Sequence, residues 1–159
     1  VIMMVGAAAG GHDPLQPLRG VALPGLGGAT TSAAAESLPF RKVASIEDLD
    51  RELAAAQAAG QPAMLDFYAD WCVSCKEMEK YTFSVPEVQS DLAGFVLLKA
   101  DVTANNEADQ ALFRRFGVYG PPTTAFFSAD GRECRPFRLV GFVNADDFRA
   151  HLARLARDC

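Results

Sequence analysis

The sequence predicts an α/β fold: a central mixed, mainly parallel sheet completed by an antiparallel hairpin, with helices on both faces. Three observations lead there. Short apolar runs recur at Ala63 to Ala69, Phe95 to Val102 and Thr123 to Ser128, each too brief for a typical helix. They carry little polar alternation, as strands buried on both faces do. Stretches of helical periodicity separate them, and such alternation of strand and helix calls for a sheet covered on both sides. A chain of 159 residues, half of them apolar, can fill that core.

Taken in order, a short strand near Phe40 opens the folded part. Ser45 and Asp48 have the form of a capping box, and Ile46, Leu49 and Leu53 then recur at helical spacing until Gly60, which predicts a helix over about 46–59. Pro62 introduces the strand Ala63 to Ala69, interrupted by Asp66. The pattern is helical from Trp71 through Tyr81, Pro86 starts a shorter helix, and Phe95 to Val102 forms another strand. Leu112, Phe113 and Phe116 mark a helix that stops at Gly117. Two strands, Thr123 to Ser128 and Phe137 to Val143, are expected to pair antiparallel across a tight link at Asp130-Gly131. Asn144 and Asp147 cap a last helix that buries Phe148, Leu152 and Leu155.

Ahead of this domain, assigned to residues 40–159, the composition changes. Residues 10–39 are rich in Gly, Pro, Ala, Ser and Thr without apolar periodicity and read as a linker. Residues 1–9 are apolar or small and fall short of the ~20 residues that cross a bilayer. They fit the end of a truncated transmembrane helix or an apolar remnant equally well. The formal charge of −5 is scattered, which argues against a nucleic-acid groove or a polybasic membrane patch and favours protein partners.

The chemistry resides in Trp71-Cys72-Val73-Ser74-Cys75, where a buried strand ends and a helix begins. Two cysteines three apart at a helix start lie within one turn and can form a disulfide. Unpaired backbone N–H groups and the helix dipole stabilise a thiolate at the first position, so Cys72 is the attacking nucleophile. Cys75, one turn further in, resolves the mixed disulfide. A structural zinc takes four ligands, and Cys134 and Cys159 are neither closely spaced nor near a plausible His. No metal and no bound cofactor are therefore expected beyond the redox-active disulfide itself. Cys134, near a hairpin, and Cys159, the last residue, read as incidental; the alternative is a bond between them, for which sequence does not supply the Cα separation required. His12 and His151 read as solvent-facing.

Asp66 is expected to be buried near the sulfurs, where burial raises a carboxyl pKa and lets it accept the proton of Cys75 during resolution. Glu79 lies one turn beyond Cys75 on the same helix face; it either opposes the dipole at the cysteines or pairs with a neighbouring Lys.

Leu65-Asp66-Phe67-Tyr68-Ala69-Asp70-Trp71-Cys72-Val73-Ser74-Cys75-Lys76 resembles the active-site strand and helix start of thioredoxins. Gly117-Val118-Tyr119-Gly120-Pro121-Pro122-Thr123 resembles that family's second signature, which implies that Pro122 is a cis-proline facing the cysteines and that Trp71, Pro121 and Pro122 meet partners. The segment Cys75 to Ser84, with Lys99 to Asn105, narrows the likeness to the C-terminal periplasmic domains of DsbD-type membrane thiol:disulfide interchange proteins, over about residues 40–157. That resemblance places an acidic residue at Glu79. It implies an electron relay in which a transmembrane domain reduces this domain, which then reduces an N-terminal periplasmic domain at the inner membrane, with no nucleic acid involved. The resemblance also implies disulfide isomerases and cytochrome c biogenesis factors as downstream acceptors. Pro121 departs from the Ile or Leu usual there and removes a backbone N–H from the partner-facing loop. The alternatives are a freestanding periplasmic reductase or isomerase with the same chemistry, and a thioredoxin-fold binding module without turnover.

Overall fold

The computed structural model describes residues 38–159; the apolar stub, all but the last two residues of the linker, and His12 lie outside the described residues. The elements are β1 (Arg41–Val43), α1 (Ile46–Ala58), β2 (Ala63–Tyr68), α2 (Val73–Glu77), α3 (Pro86–Asp91), β3 (Val96–Asp101), α4 (Glu107–Phe116), β4 (Thr123–Phe127), β5 (Leu139–Val140) and α5 (Ala145–Asp158). Five strands form one sheet in the order β1-β3-β2-β4-β5. β1, β3 and β2 run parallel, while β4 is antiparallel to β2 and β5 to β4.

Local signals explain where most elements start and stop. The Ser45 hydroxyl accepts from the Asp48 N–H at 3.1 Å, and the Asp48 carboxylate reaches back to the Ala44 N–H at 3.1 Å, one residue earlier than in a full capping box. Asn106 and Asp109 complete a reciprocal box at α4, which ends on Gly117 in the left-handed region at φ 63°. Asn144 caps α5 by accepting the Asp147 N–H at 2.9 Å.

All six residues of β2 are buried, because the strand has neighbours on both edges and helices on both faces. Leu65 and Phe67 join Leu98, Ala100, Ala125, Leu49, Leu112 and Phe116 in a layer under α1 and α4. Met64, Leu97 and Phe126 join Met78, Phe83, Phe148, Leu152 and Leu155 in the layer under α5. Burying one such Leu or Phe side chain contributes about 1.5–3 kcal/mol, so each layer is well anchored.

Three expectations are corrected. The helix predicted through Tyr81 changes after Glu77 into a π-helical turn, Met78–Thr82, closed by the Phe83 N–H on the Met78 carbonyl at 2.8 Å. The strand predicted over Phe137 to Val143 is only Leu139–Val140. Pro136 lies in a 3₁₀ turn, Arg135–Phe137, and Gly141 leaves the extended region at φ 85°, so neither flank can extend the ladder. The Asp130-Gly131 turn does form, with a bridge between Phe127 and Glu133, but the 3₁₀ turn separates it from β5. His151 is buried, not solvent-facing. It lies on the inner face of α5 against Phe126 and Phe137, with Nε2 2.6 Å from the Phe137 carbonyl oxygen.

Candidate functional site

β2 delivers the chain to the site. Beyond Tyr68, the Cys72 N–H bonds the Ala69 carbonyl at 3.1 Å, which turns the backbone into α2 with Cys72 as its N-cap. The loop after β3 braces this turn. Thr103 accepts the Asp70 N–H at 2.9 Å through its hydroxyl and the Trp71 indole N–H at 3.1 Å through its carbonyl. Trp71 thus has a fixed ring edge yet remains 61% exposed, and Val73 on the other side of Cys72 is 70% exposed.

Cys72 and Cys75 are joined as a disulfide with Cα atoms 5.3 Å apart. Cys72 is 8% exposed and Cys75 3%, so an incoming partner reaches Cys72 more readily. The Cys75 N–H donates to the Cys72 sulfur at 3.2 Å, the contact that a helix N-terminus would offer a thiolate. Cys75 Sγ lies 3.9 Å from the Phe67 carbonyl oxygen, which sets it against the end of β2.

The Pro121-Pro122 peptide bond is cis. Thr123 pairs with Phe67, so Pro122 stands at the end of β2 that leads to Cys72. Pro122 is buried, and its carbonyl accepts the Gly141 N–H at 2.9 Å. Pro121 is half-buried, and Tyr119 before it is fully exposed.

Asp66 is 3% exposed in the middle of the sheet, paired in register with Lys99 of β3 and Thr124 of β4. Burial pushes its carboxyl up to about 7; the positive charge of Lys99 works against the rise, and the negative charge of Glu79 adds to it. Glu79 pairs with Lys99 Nζ at 2.8 Å, a bond from the π-helical turn to β3 rather than to a neighbour on its own helix. Lys99 also lies over the rings of Tyr68 and Phe40, at 4.6 and 4.9 Å from their centroids. Asp66, Lys99 and Glu79 therefore form one electrostatic unit linking β2, β3 and the π-helical turn. Sequence reasoning assigned no role to Lys99, although a lysine inside the apolar run Phe95 to Val102 is as conspicuous as Asp66 inside β2.

Cys134 and Cys159, read as incidental, are instead bonded to each other, with Cα atoms 6.1 Å apart. Folding brings the segment after β4 against the end of α5, a proximity that a sequence separation of 25 conceals. Among the described residues no group of three or more His, Cys, Asp or Glu side chains is arranged to hold a metal ion.

A buried strand that opens into a helix-capping CxxC, with a cis X–Pro bond at the same end of the sheet, defines a dithiol/disulfide domain of the thioredoxin class. The sequence profile of the thioredoxin-like domain matches residues 49–156. The thiol:disulfide interchange protein DsbD of Ralstonia nicotianae is 50% identical over 153 residues, covering 96% of this chain and 24% of that protein. The DsbD of Cronobacter sakazakii is 55% identical over 125 residues, covering 79% and 21%. The oxidised C-terminal domain of Neisseria meningitidis DsbD superposes with a TM-score of 0.61 at 36% identity, covering 75% of this chain and 100% of that one. The chain belongs to the thioredoxin-like family, in the branch formed by the C-terminal domains of DsbD. It spans about a quarter of the length of the curated relatives it matches. No helix among the described residues is long and apolar enough to cross a membrane.

Proposed function

We propose that this domain relays electrons by dithiol/disulfide exchange at Cys72-Cys75, from a membrane-embedded donor domain to periplasmic partner proteins, among them an N-terminal periplasmic domain of the same protein. The observation that carries the reading is Cys72 at the N-cap of α2, more accessible than a buried Cys75 that is already within bonding distance of it. In the reduced domain, the Cys72 thiolate attacks a partner disulfide and expels one partner thiolate, giving a mixed disulfide. Cys75 then attacks Cys72, re-forms the internal disulfide and releases the second partner thiolate. Two electrons pass to the partner and its two sulfurs take up two protons. Asp66, with a carboxyl near neutrality, is suited to receive the proton that Cys75 gives up. The exposed Trp71 and Val73, together with the half-buried Pro121 and the cis-proline Pro122 that shapes its loop, are assigned to the partner.

The test is trapping. With a DsbD-type N-terminal domain in its disulfide form, reduced Cys75→Ala should accumulate a mixed disulfide through Cys72, while Cys72→Ala should accumulate none. Trapping through Cys75 instead would reverse the assignment, and a wild-type domain that fails to reduce insulin disulfides under dithiothreitol would refute exchange altogether.

A further inference from the structure

The second disulfide lies apart from the exchange site. Cys134 donates its N–H to the Phe126 carbonyl at 2.7 Å, and Phe126 pairs with Met64 near the start of β2, whereas Cys75 rests against Phe67 near its end. Three residues of strand separate those positions, roughly 10 Å. The side chains also fall into different core layers, Cys134 with Met64, Phe126, Phe148 and Leu152, and Cys72 and Cys75 with Leu65, Phe67 and Phe116. A disulfide spans roughly 4.4–6.8 Å between Cα atoms, so neither catalytic sulfur reaches Cys134 within one molecule.

The residues enclosed by the bond matter to the site. The loop from Cys134 to Cys159 contains β5, Gly141, whose N–H holds the Pro122 carbonyl, and Val143, whose carbonyl accepts the Thr82 hydroxyl of the π-helical turn. His151 fastens the same loop internally through the Phe137 carbonyl.

We propose that Cys134-Cys159 is a structural cross-link, formed by oxidation during folding and left intact while Cys72-Cys75 cycles, which holds in place the segment backing the cis-proline loop. Cys159 is exposed and Cys134 is 5% exposed, which sets the order of events. The Cys159 thiolate attacks a disulfide oxidant, either protein-borne or glutathione disulfide, and one oxidant sulfur leaves. The Cys134 thiolate then attacks Cys159 Sγ, the internal bond forms, and the second oxidant sulfur leaves. Two electrons pass from the two cysteines to the oxidant, whose sulfurs take up the two protons. A cross-link that stabilises the fold is stabilised by the fold in equal measure, so the bond resists the dithiols that open Cys72-Cys75 even though Cys159 is exposed.

The experiment uses the chain folded with glutathione disulfide, then titrated with dithiothreitol, alkylated and mapped by peptide mass. Cys72 and Cys75 should become alkylated at a concentration at least tenfold below that needed for Cys134 and Cys159. Free Cys134 and Cys159 thiols in the folded starting material, or one midpoint for all four cysteines, would overturn the proposal. Cys159→Ala, a change at an exposed position, should lower the Tm by about 10 °C, as expected from opening a loop of this length. Its insulin reduction at 25 °C should stay within twofold of the wild type. An unchanged Tm, or a loss of reductase activity as large as that of Cys72→Ala, would count against a purely structural bond. The peptide map and the Tm do not depend on the relay, so a wild-type domain inactive on insulin would sink the proposed function and leave the cross-link standing.

Discussion

Replacing Asp66 by Asn separates the charge of the buried carboxyl from its shape. The folded domain holds this carboxyl at about 7, against 3.8 for the ordinary group, chiefly through burial. At about 1.4 kcal/mol per pH unit, that rise amounts to about 4 kcal/mol of unfavourable free energy once the group is ionised. Below pH 3.8 the carboxyl is protonated in folded and unfolded chains alike and contributes nothing. Between about 4 and 7 the unfolded chain loses the proton first, the folded state binds more protons, and stability falls as pH rises. Above about 7 both states are ionised and the whole loss is present. Urea unfolding from pH 4 to pH 9 should therefore show Asp66→Asn close to the wild type at pH 4 and more stable by up to about 4 kcal/mol at pH 8. Two companion variants test the electrostatic unit: Lys99→Met should move the wild-type midpoint upward and Glu79→Gln downward, because their charges act on Asp66 in opposite directions. A difference between Asp66→Asn and wild type that does not vary with pH, or an Asn variant less stable at pH 8, would refute the account of a buried carboxylate held against its preference.

Two further outcomes follow from the same geometry. The Cys72 thiol should titrate above the ~7 typical of thioredoxin, because the carboxylates of Asp66 and Glu79, carried by the strand before the CxxC and the helical turn after it, oppose the α2 dipole. The pH dependence of its alkylation should shift downward in Asp66→Asn and less in Glu79→Gln, whose charge Lys99 already balances at 2.8 Å. A wild-type midpoint below 7, or no response to Asp66→Asn, would end that argument. Pro121→Leu restores a backbone N–H beside the cis bond and should tighten binding of an extended partner chain by about 0.5–1.5 kcal/mol in calorimetry. Unchanged or weaker affinity with an intact fold would mean that this N–H position takes no part in docking.

What the sequence determined by itself is what neighbours along the chain determine. Helical spacing, the caps at Ser45, Asn106 and Asn144, the stops at Gly60 and Gly117, and the apolar runs of β2, β3 and β4 act within a few residues, and all lie close to where they were read. The CxxC was legible for the same reason, since a strand end, a helix start and two cysteines one turn apart form a contiguous signal. Tertiary structure alone decided the rest. Lys99 joined Glu79 and Asp66 because parallel pairing of β2 with β3 sets residue 66 beside residue 99, a register no local pattern specifies. His151 turned inward because α5 packs on Phe126 and Phe137, and Cys134 met Cys159 because that packing returns the end of α5 to the segment after β4. β5 shrank because a proline and a positive-φ glycine bound it, a conflict the apolar pattern of Phe137 to Val143 does not reveal. Short-range preferences are set by steric and hydrogen-bonding choices within one turn or one strand. The charge balance and cross-link of this domain arise between residues 20 or more apart in sequence, and only the packed sheet brings them into contact.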